Sequence, residues 1–490
     1  MRIRNYKALT NHGNIRGRKA VCDILECGLQ AADPYYNTLR LIQIENGKLS
    51  IGCSDFEPIN APKSGEDIYD LKDIDRIFVF GAAKGVQRVA LALEEKLGEY
   101  LTGGYVIAKH GDAPLLKKIK VAFGGHPIPD QCCIDACTEM IEMIRSIHLT
   151  ERDLVFTIVG NGVSSLLTLP ADGVSLDAVK HLARHLQIEK GVSTAELNMI
   201  RNQVDKLKGG RITRMLQPAQ MVHILAVDCN YGNTGLVGYP GLVHANVWLH
   251  TLPDVSSQER AKAVLNKWDA WDQIDESIRQ YLLNATPEQD VLHTEEFERM
   301  NCRIFGVMPD SKGFIPSAMQ KAEELGYHAH LVNKSHYLDA GMLGRFWGNM
   351  AKLVETEEKP FSTPCALFFT GEMLVTVGKE MGVGGRNQEF ALTAATVIAG
   401  SSRITIGAAD TDGTDGPGGH FSDEADALGI QALAGGVVDG FTLKEAADKG
   451  VDVAQALQSH STSNALWQLD SGIWATQNIS LQDIVVAVVD

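Results

Sequence analysis

The sequence predicts an α/β fold with a doubly wound, mostly parallel sheet in its N-terminal part and a second α/β domain after it. Three observations carry this. Apolar runs that end in glycine and lead into helical patterns recur along the chain, as strands alternating with helices on a parallel sheet require. At 490 residues the chain exceeds what one core usually spans, so two or three domains are expected. A hydrophobic content of 44% beside 22% charged residues matches a globular chain with a large core.

The first unit is DRIFVFGAAKGVQRVALALEEKL, in which Ile77 to Phe80 read as a buried strand. Val86, Val89, Ala90, Leu93 and Leu97 then repeat at helical spacing. The pattern returns in DLVFTIVGNG and in MVHILAVDCNYG. Ser193 with Glu196, and Ser256 with Glu259, have the spacing of capping boxes and are expected to open helices. A helical, more charged region runs from about Ser256 to Arg299, and AMQKAEELG then leads into the strand-like HAHLV. KLVETEEKPFSTP, with Pro360 and Pro364, reads as a linker. PCALFFTGEMLVTVG reads as two strands joined by a turn at Gly371. The expected domains are 16–290 and 362–490, with 291–361 connecting them or entering the second.

A net charge of −16 argues against broad attraction to nucleic acid or anionic membrane, and no run of about 20 apolar residues is present. The N-terminus lacks the apolar core of a signal peptide. Nine cysteines without a CxxC pair point to reduced thiols in a cytoplasmic enzyme. Cys133 and Cys137 share a helix face, and packing explains them better than metal binding.

Five polar loops carry the candidate chemistry. GAAKG, Gly81 to Gly85, lies at a strand-to-helix turn where backbone amides and Lys84 suit a phosphate or carboxylate. It matches neither the Walker A loop nor GxGxxG. GGHPIPD holds His126 and Asp130 between two prolines that stiffen the loop. GNGVSSLL, Gly160 to Leu167, offers glycines with Ser164 and Ser165 but lacks the last glycine of a nucleophile elbow. The helix TAELNMIRNQVDKLKGGRI carries Glu196, Asn198, Arg201 and Lys208, too many polar groups for a simple amphipathic face. DTDGTDGP places Asp410, Asp412 and Asp415 within six positions, which calls for a cation or a basic side chain among them. Before it, GVGGRNQEF sets Arg386 at a helix start behind Gly384 and Gly385, a planar fork suited to carboxylate or phosphate.

These motifs, in this order, resemble the glycerate 2-kinase family. GGRNQE followed by TDGTDGP is similar to its C-terminal MOFRL domain. AADPY, GAAKG, GHPIPD and ELNMIRNQVDKLKGGRI are similar to its N-terminal domain. The resemblance implies ATP-dependent, Mg²⁺-assisted phosphorylation of D-glycerate, or a related small hydroxy acid, in a cleft between two α/β domains. It puts Lys84 and Arg386 on the family's active-site lysine and arginine, with Asp412 beside them. It implies substrate contacts from His126, Asp130, Glu196, Asn198, Arg201, Lys208, Asn387 and Glu389. It implies nucleotide contacts from Gly81, Gly160, Asn161, Gly162, Ser164, Gly384 and Gly385, and Mg²⁺ ligands in Asp410, Asp415 and Asp228. The chain departs from the family where SGGGSAL becomes GNGVSSL, and where the C-terminal glycine loop becomes WATQNISLQD, which keeps Asn478 and Asp483. The expected partner is a small anionic hydroxy acid, not nucleic acid or membrane, and the assembly weighed is a homodimer. The alternatives are a non-kinase enzyme on the same scaffold (relatives have carried the label hydroxypyruvate reductase) and a non-catalytic acid-sensing subunit.

Overall fold

A computed structural model describes residues 1–490 apart from 54, 55, 57, 60–66, 127, 228–237, 309–312, 378–381, 417–432, 477 and 479–481. It divides into two compact units, one built from Met1–Asp33 with Asp310–Asp490, the other from Pro34–Pro309.

The unit Pro34–Pro309 opens with a small antiparallel sheet of β1 (Ile42–Glu45), β2 (Lys48–Ile51) and β3 (Asp67–Asp70). Its main sheet has six strands, β4 (Arg76–Ala82), β5 (Leu101–Lys109), β6 (Ile119–Gly124), β7 (Asp153–Gly160), β8 (Gln220–Ala226) and β9 (Cys302–Gly306). They stand in the order β6-β5-β4-β7-β8-β9, and every pair is parallel. Counted from β4, that is 3-2-1-4-5-6, the doubly wound order in which the chain turns back between the first and fourth strands. β7 is buried at every residue, as a strand covered on both faces must be, which is why its sequence is an apolar run without alternation. The expected parallel sheet is present.

The helix Val86–Leu97 starts at Gly85, as its periodicity indicated. The helix Gln131–Ile147 buries both Cys133 and Cys137. Ser193 caps Thr194–Arg201 by accepting from Glu196 N–H. The second capping box is displaced by one residue: Ser257, not Ser256, caps Gln258–Lys267. Ser256 is fully buried, its N–H bonded to Asp254 and its hydroxyl to Gln203.

The other unit holds a mixed sheet of β10 (His328–Asp339), β11 (Cys365–Leu374), β12 (Ile404–Asp410), β13 (Gly435–Asp439), β14 (Gly472–Ile473) and β15 (Asp483–Val489), ordered β10-β11-β15-β12-β13-β14. Only β10 and β11 run parallel; the remaining pairs are antiparallel. Two expectations change here. Cys365–Leu374 is one strand, and Gly371 lies within it because a side chain there would strike the Ser335 carbonyl of β10. The first part of the expected linker is helical: Ala340–Glu357 is a single helix that buries Val354, so 358–364 alone connect it to β11.

The division into units also departs from the boundaries read at 290/291 and 361/362. The helix Ile15–Ala31 belongs with the C-terminal sheet. Its Val21 and Leu25 press on Gly407 of β12, and its Gly28 approaches Ile484 of β15. Buried Arg18 on the same helix pairs with buried Asp439 at the end of β13. A stripe that fits either sheet equally well in sequence is fixed by this long-range contact. Among the described residues no helix is long and apolar enough to cross a membrane.

Candidate functional site

In the unit Pro34–Pro309, three of the candidate loops meet at the carboxyl ends of β4, β6 and β7. This is where an open α/β sheet whose strand order reverses leaves a crevice for ligands. Lys84 N–H donates to the Asn161 carbonyl at 2.8 Å, tying GAAKG to GNGVSS. Gly162 has φ +86, and a methyl group there would sit 2.7 Å from Lys84 Cγ and 3.2 Å from His126 Cδ2. Glycine is thus required at 162 both by its left-handed backbone and by the close approach of two side chains. Ser165 Oγ donates to the Gly125 carbonyl at 2.7 Å, which pins the histidine loop to the same turn. Lys84, Asn161, Gly162 and His126 are therefore brought together, with Gly81 and Gly160 as the buried strand ends beneath them.

Asp130 anchors this arrangement through its hydrogen bonds. Its Oδ1 accepts from Gly125 N–H at 3.0 Å and from Cys133 N–H at 3.1 Å, and Oδ2 lies 2.7 Å from His110 Nε2. Burial alone would raise its pKa, but those hydrogen bonds hold the carboxyl below the usual range.

The expected polar helix runs only over Thr194–Arg201, so Lys208 lies in the turns beyond it, and the four candidates take different roles. Glu196 pairs with Lys267 and accepts from the Trp268 indole, so it ties two helices together. Lys208 is buried, and its ammonium donates to the Leu167 carbonyl at 2.6 Å, Thr168 Oγ1 at 2.9 Å and Asp205 Oδ2 at 2.7 Å. Those three contacts use all three N–H groups, which leaves none for a ligand. Arg201 is different. Its guanidinium donates only to Oδ1 of buried Asn198, and among the described residues no carboxylate lies within ion-pair reach. Burial pushes its pKa down to about 10 despite the more distant Asp205. It is a desolvated cation whose charge has no direct counter-ion, the condition that favours an incoming anion.

Sequence reasoning did not pick out His250, the residue that links this cation to the loops. It is fully buried, its Nε2 is 3.0 Å from Ser164 Oγ, and the charges of Lys208, Arg201 and Arg211 act on it. In VWLHTLPD it stands among apolar residues with no turn signal beside it, so nothing local marked it.

The second group of candidates lies wholly in the other unit. Arg386 opens the helix Arg386–Ile398. Its Nε donates to both oxygens of Asp483 at 2.9 Å, its Nη2 donates to Asp410 at 2.8 Å, and Glu372 is 3.7 Å from Nη1. β11, β12 and β15 bring these carboxylates to one sheet end: Asp483 is in register with both Asp410 and Gly371. Burial would lower the Arg386 pKa, but Asp483, Asp410, Glu372 and Asp415 raise it well above its ordinary value. The charge of this fork is balanced internally. Among the described residues its Nη1 makes no hydrogen bond.

The anion at this helix start is also internal. Asp415 accepts from Asn387 N–H at 3.2 Å and from Gln388 N–H at 2.9 Å. A methyl at Gly385 would collide with its carboxyl, and one at Gly384 with the His460 carbonyl. The two glycines thus make room for neighbouring parts of the protein, including the aspartate loop. Asn387 donates to Asp415 and Asp483, and Glu389 holds His460 Nδ1 at 2.7 Å. Asp412 is buried and accepts from Thr414 N–H and O–H at 2.8 Å. As Mg²⁺ ligands, Asp410 and Asp415 would have to share oxygens already engaged by Arg386, Asn387 and Gln388, so this donor set fits an ion-pair lattice better than a metal cradle. Asp228 lies outside the described residues.

Two family models match the chain: a domain of unknown function, DUF4147, over residues 20–283, and the MOFRL family over 365–478. A D-glycerate 2-kinase of Thermotoga maritima is 31% identical over 88% of this chain and 93% of its own length. A glycerate 2-kinase of Pyrococcus horikoshii is 29% identical over 95% and 98%. A crystal structure of glycerate kinase from Thermotoga maritima superposes with a TM-score of 0.70 at 28% identity, covering 96% of this chain and 99% of that one.

Proposed function

The chain belongs to the glycerate 2-kinase family, and we propose that it transfers the γ-phosphoryl group of ATP to the 2-hydroxyl of D-glycerate or a close hydroxy acid. The observation that carries this reading is the meeting of Lys84, Gly162 and His126 at the point where the parallel sheet reverses its strand order. Phosphoryl transfer needs positioning and charge neutralisation more than a covalent nucleophile. The substrate hydroxyl oxygen bonds to phosphorus as the bond to the bridging oxygen of ADP breaks, and the hydroxyl proton is released.

In this reading Lys84 and the glycine turns after β4 and β7 receive the phosphates, with the amides at the start of Val86–Leu97 adding partial positive charge. Arg201, which has no carboxylate partner among the described residues, takes the carboxylate of the acid. Magnesium would enter on the nucleotide phosphates and neutralise part of their charge.

The test is turnover by the full chain with Mg-ATP and a panel of three- to six-carbon hydroxy acids, following ADP release and identifying the phosphorylated carbon by phosphorus NMR. D-glycerate is expected to be consumed and 2-phosphoglycerate formed. Lys84→Met is expected to lower kcat/KM by about 1000-fold, the scale of one strong transition-state electrostatic contact. No turnover with any acid sinks the kinase reading, and unchanged turnover in Lys84→Met sinks that residue's role.

A further inference from the structure

Beside the glycine loops lies a serine–histidine pair of which the family resemblance marks the serine and not the histidine. Ser164 Oγ and His250 Nε2 are 3.0 Å apart, and Ser164 Oγ makes no other hydrogen bond among the described residues. His250 is fully buried, and its Nδ1 has no hydrogen-bond partner among the described residues. The loop that carries it is fixed on both sides. Gly210 N–H donates to the His250 carbonyl at 3.0 Å, and Thr213 Oγ1 donates to the Thr251 carbonyl at 2.6 Å. Asn246 accepts from Leu249 N–H at 2.7 Å and donates to the Pro253 carbonyl at 2.8 Å.

This asymmetry selects a tautomer. A neutral imidazole has one N–H and one lone pair. With the proton on Nδ1, a buried donor would have no acceptor, which folded proteins rarely tolerate; with it on Nε2, only a lone pair goes unmet. Burial, and the positive charges of Lys208, Arg201 and Arg211, push the His250 pKa well below its ordinary value and keep the ring neutral.

We propose that His250 donates from Nε2–H to Ser164 Oγ, so that the serine hydroxyl proton is left to donate to an anionic ligand oxygen beside Gly162 and Lys84. His250 is then a positioning residue and Ser164 the group that touches the ligand. This rests on the reading that the glycine loops receive the phosphate of the nucleotide or the carboxylate of the acid. A serine accepting from histidine has its donor direction restricted, whereas a serine donating to histidine has no proton to offer the ligand.

Two measurements test it. In protein labelled with ¹⁵N-histidine, a long-range proton–nitrogen spectrum, with His250 assigned by its loss in His250→Gln, is expected to show Nε2 protonated and Nδ1 bare. A protonated Nδ1 overturns the proposal whether or not the protein is a kinase. Calorimetric titrations with Mg-ATP and with D-glycerate form the second arm. Ser164→Ala is expected to weaken one of the two about tenfold, the scale of one hydrogen bond to a charged group. Weakened ATP binding assigns the phosphate, and weakened glycerate binding the carboxylate. His250→Gln, which keeps an N–H near Nε2, is expected to stay within about threefold of wild type. His250→Leu should match Ser164→Ala, and within the Ser164→Ala background it should add less than about twofold. Unchanged affinity for both ligands in Ser164→Ala overturns the proposal, and that variant decides the matter even if His250→Leu does not fold. Absent turnover with the expected tautomer and affinities would sink the kinase reading alone.

Discussion

Arg201 and Arg386 are both guanidinium groups largely withdrawn from water, and both lie in stretches that the sequence marks as polar and functional. Their surroundings are opposite. Around Arg386, Asp483, Asp410 and Glu372 raise the pKa well above its ordinary value. Around Arg201, the neutral Asn198 is the one hydrogen-bond partner of the guanidinium among the described residues, and burial lowers its pKa to about 10. A paired buried cation holds the protein together, because removing it strands its partners. A buried cation without a direct counter-ion costs stability, and a ligand can compensate that cost. The glycines differ in the same sense. Gly162 brings three loops around a strand-end crevice, whereas Gly385 admits Asp415.

The largest effect that would break this contrast is on Arg386. Arg386→Ala leaves Asp483 and Asp410, which are 0% and 4% exposed, without their counter-charge. It is expected to destabilise its unit by about 4 kcal/mol, as breaking a buried pair does. Hydrogen exchange in the helix Arg386–Ile398 reads this directly, because the global unfolding of a two-unit chain is not two-state. A loss under about 1 kcal/mol, alongside a large drop in ligand affinity, would reverse the assignment and make Arg386 the ligand's partner.

Next in size is Arg201. Arg201→Met keeps the stem and removes the charge, and is expected to weaken D-glycerate binding about 100-fold, or about 2.7 kcal/mol. Stability should change by about 1 kcal/mol or less, because relief of the desolvated charge offsets the lost hydrogen bonds to Asn198. Titration calorimetry and thermal unfolding of the same preparation give both numbers. Equal damage to binding and stability would show that Arg201 belongs with Arg386 as a structural cation.

The sequence made the parallel sheet legible, because strands covered on both faces must be continuous apolar runs and their loops must turn at glycine. It also made Lys84 and Gly162 legible, since each sits within a few residues of its strand end. What it could not show is who answers each charge. Asp483 lies 97 positions from Arg386, and only the register of β12 with β15 brings Asp410 beside it. Lys208 reads as a functional lysine until its three acceptors are seen. The helix Ile15–Ala31 is amphipathic in either setting, and its contacts far along the chain, Arg18 with Asp439 and Val21 and Leu25 with Gly407, assign it to the C-terminal sheet. Local turn chemistry survives in one dimension; charge balance does not.

The smallest effect concerns Asp415, which lies against the same Arg386 group and sharpens what "internally balanced" means there. Burial pushes its carboxyl up to about 6, with Asp483 adding to the rise while Arg386, Gln388 N–H and Asn387 pull against it. A carboxyl whose folded pKa lies above its unfolded value, near 3.8, binds its proton more tightly in the native state. Its contribution to stability is therefore fully present below about 3.8 and is lost as pH rises through about 6. Many other carboxylates titrate in this range, so the comparison must be with Asp415→Asn, which removes this titration alone. Relative to that variant, wild type is expected to gain about 2 kcal/mol between pH 7 and pH 4. Denaturant unfolding at several pH values measures the difference. A flat difference curve would mean that Arg386 neutralises Asp415 as completely as it does Asp410. The rise would then belong to Asp483, whose buried carboxyl is also pushed up by desolvation against the pull of Arg386, and the ion-pair lattice would have to be redrawn around it.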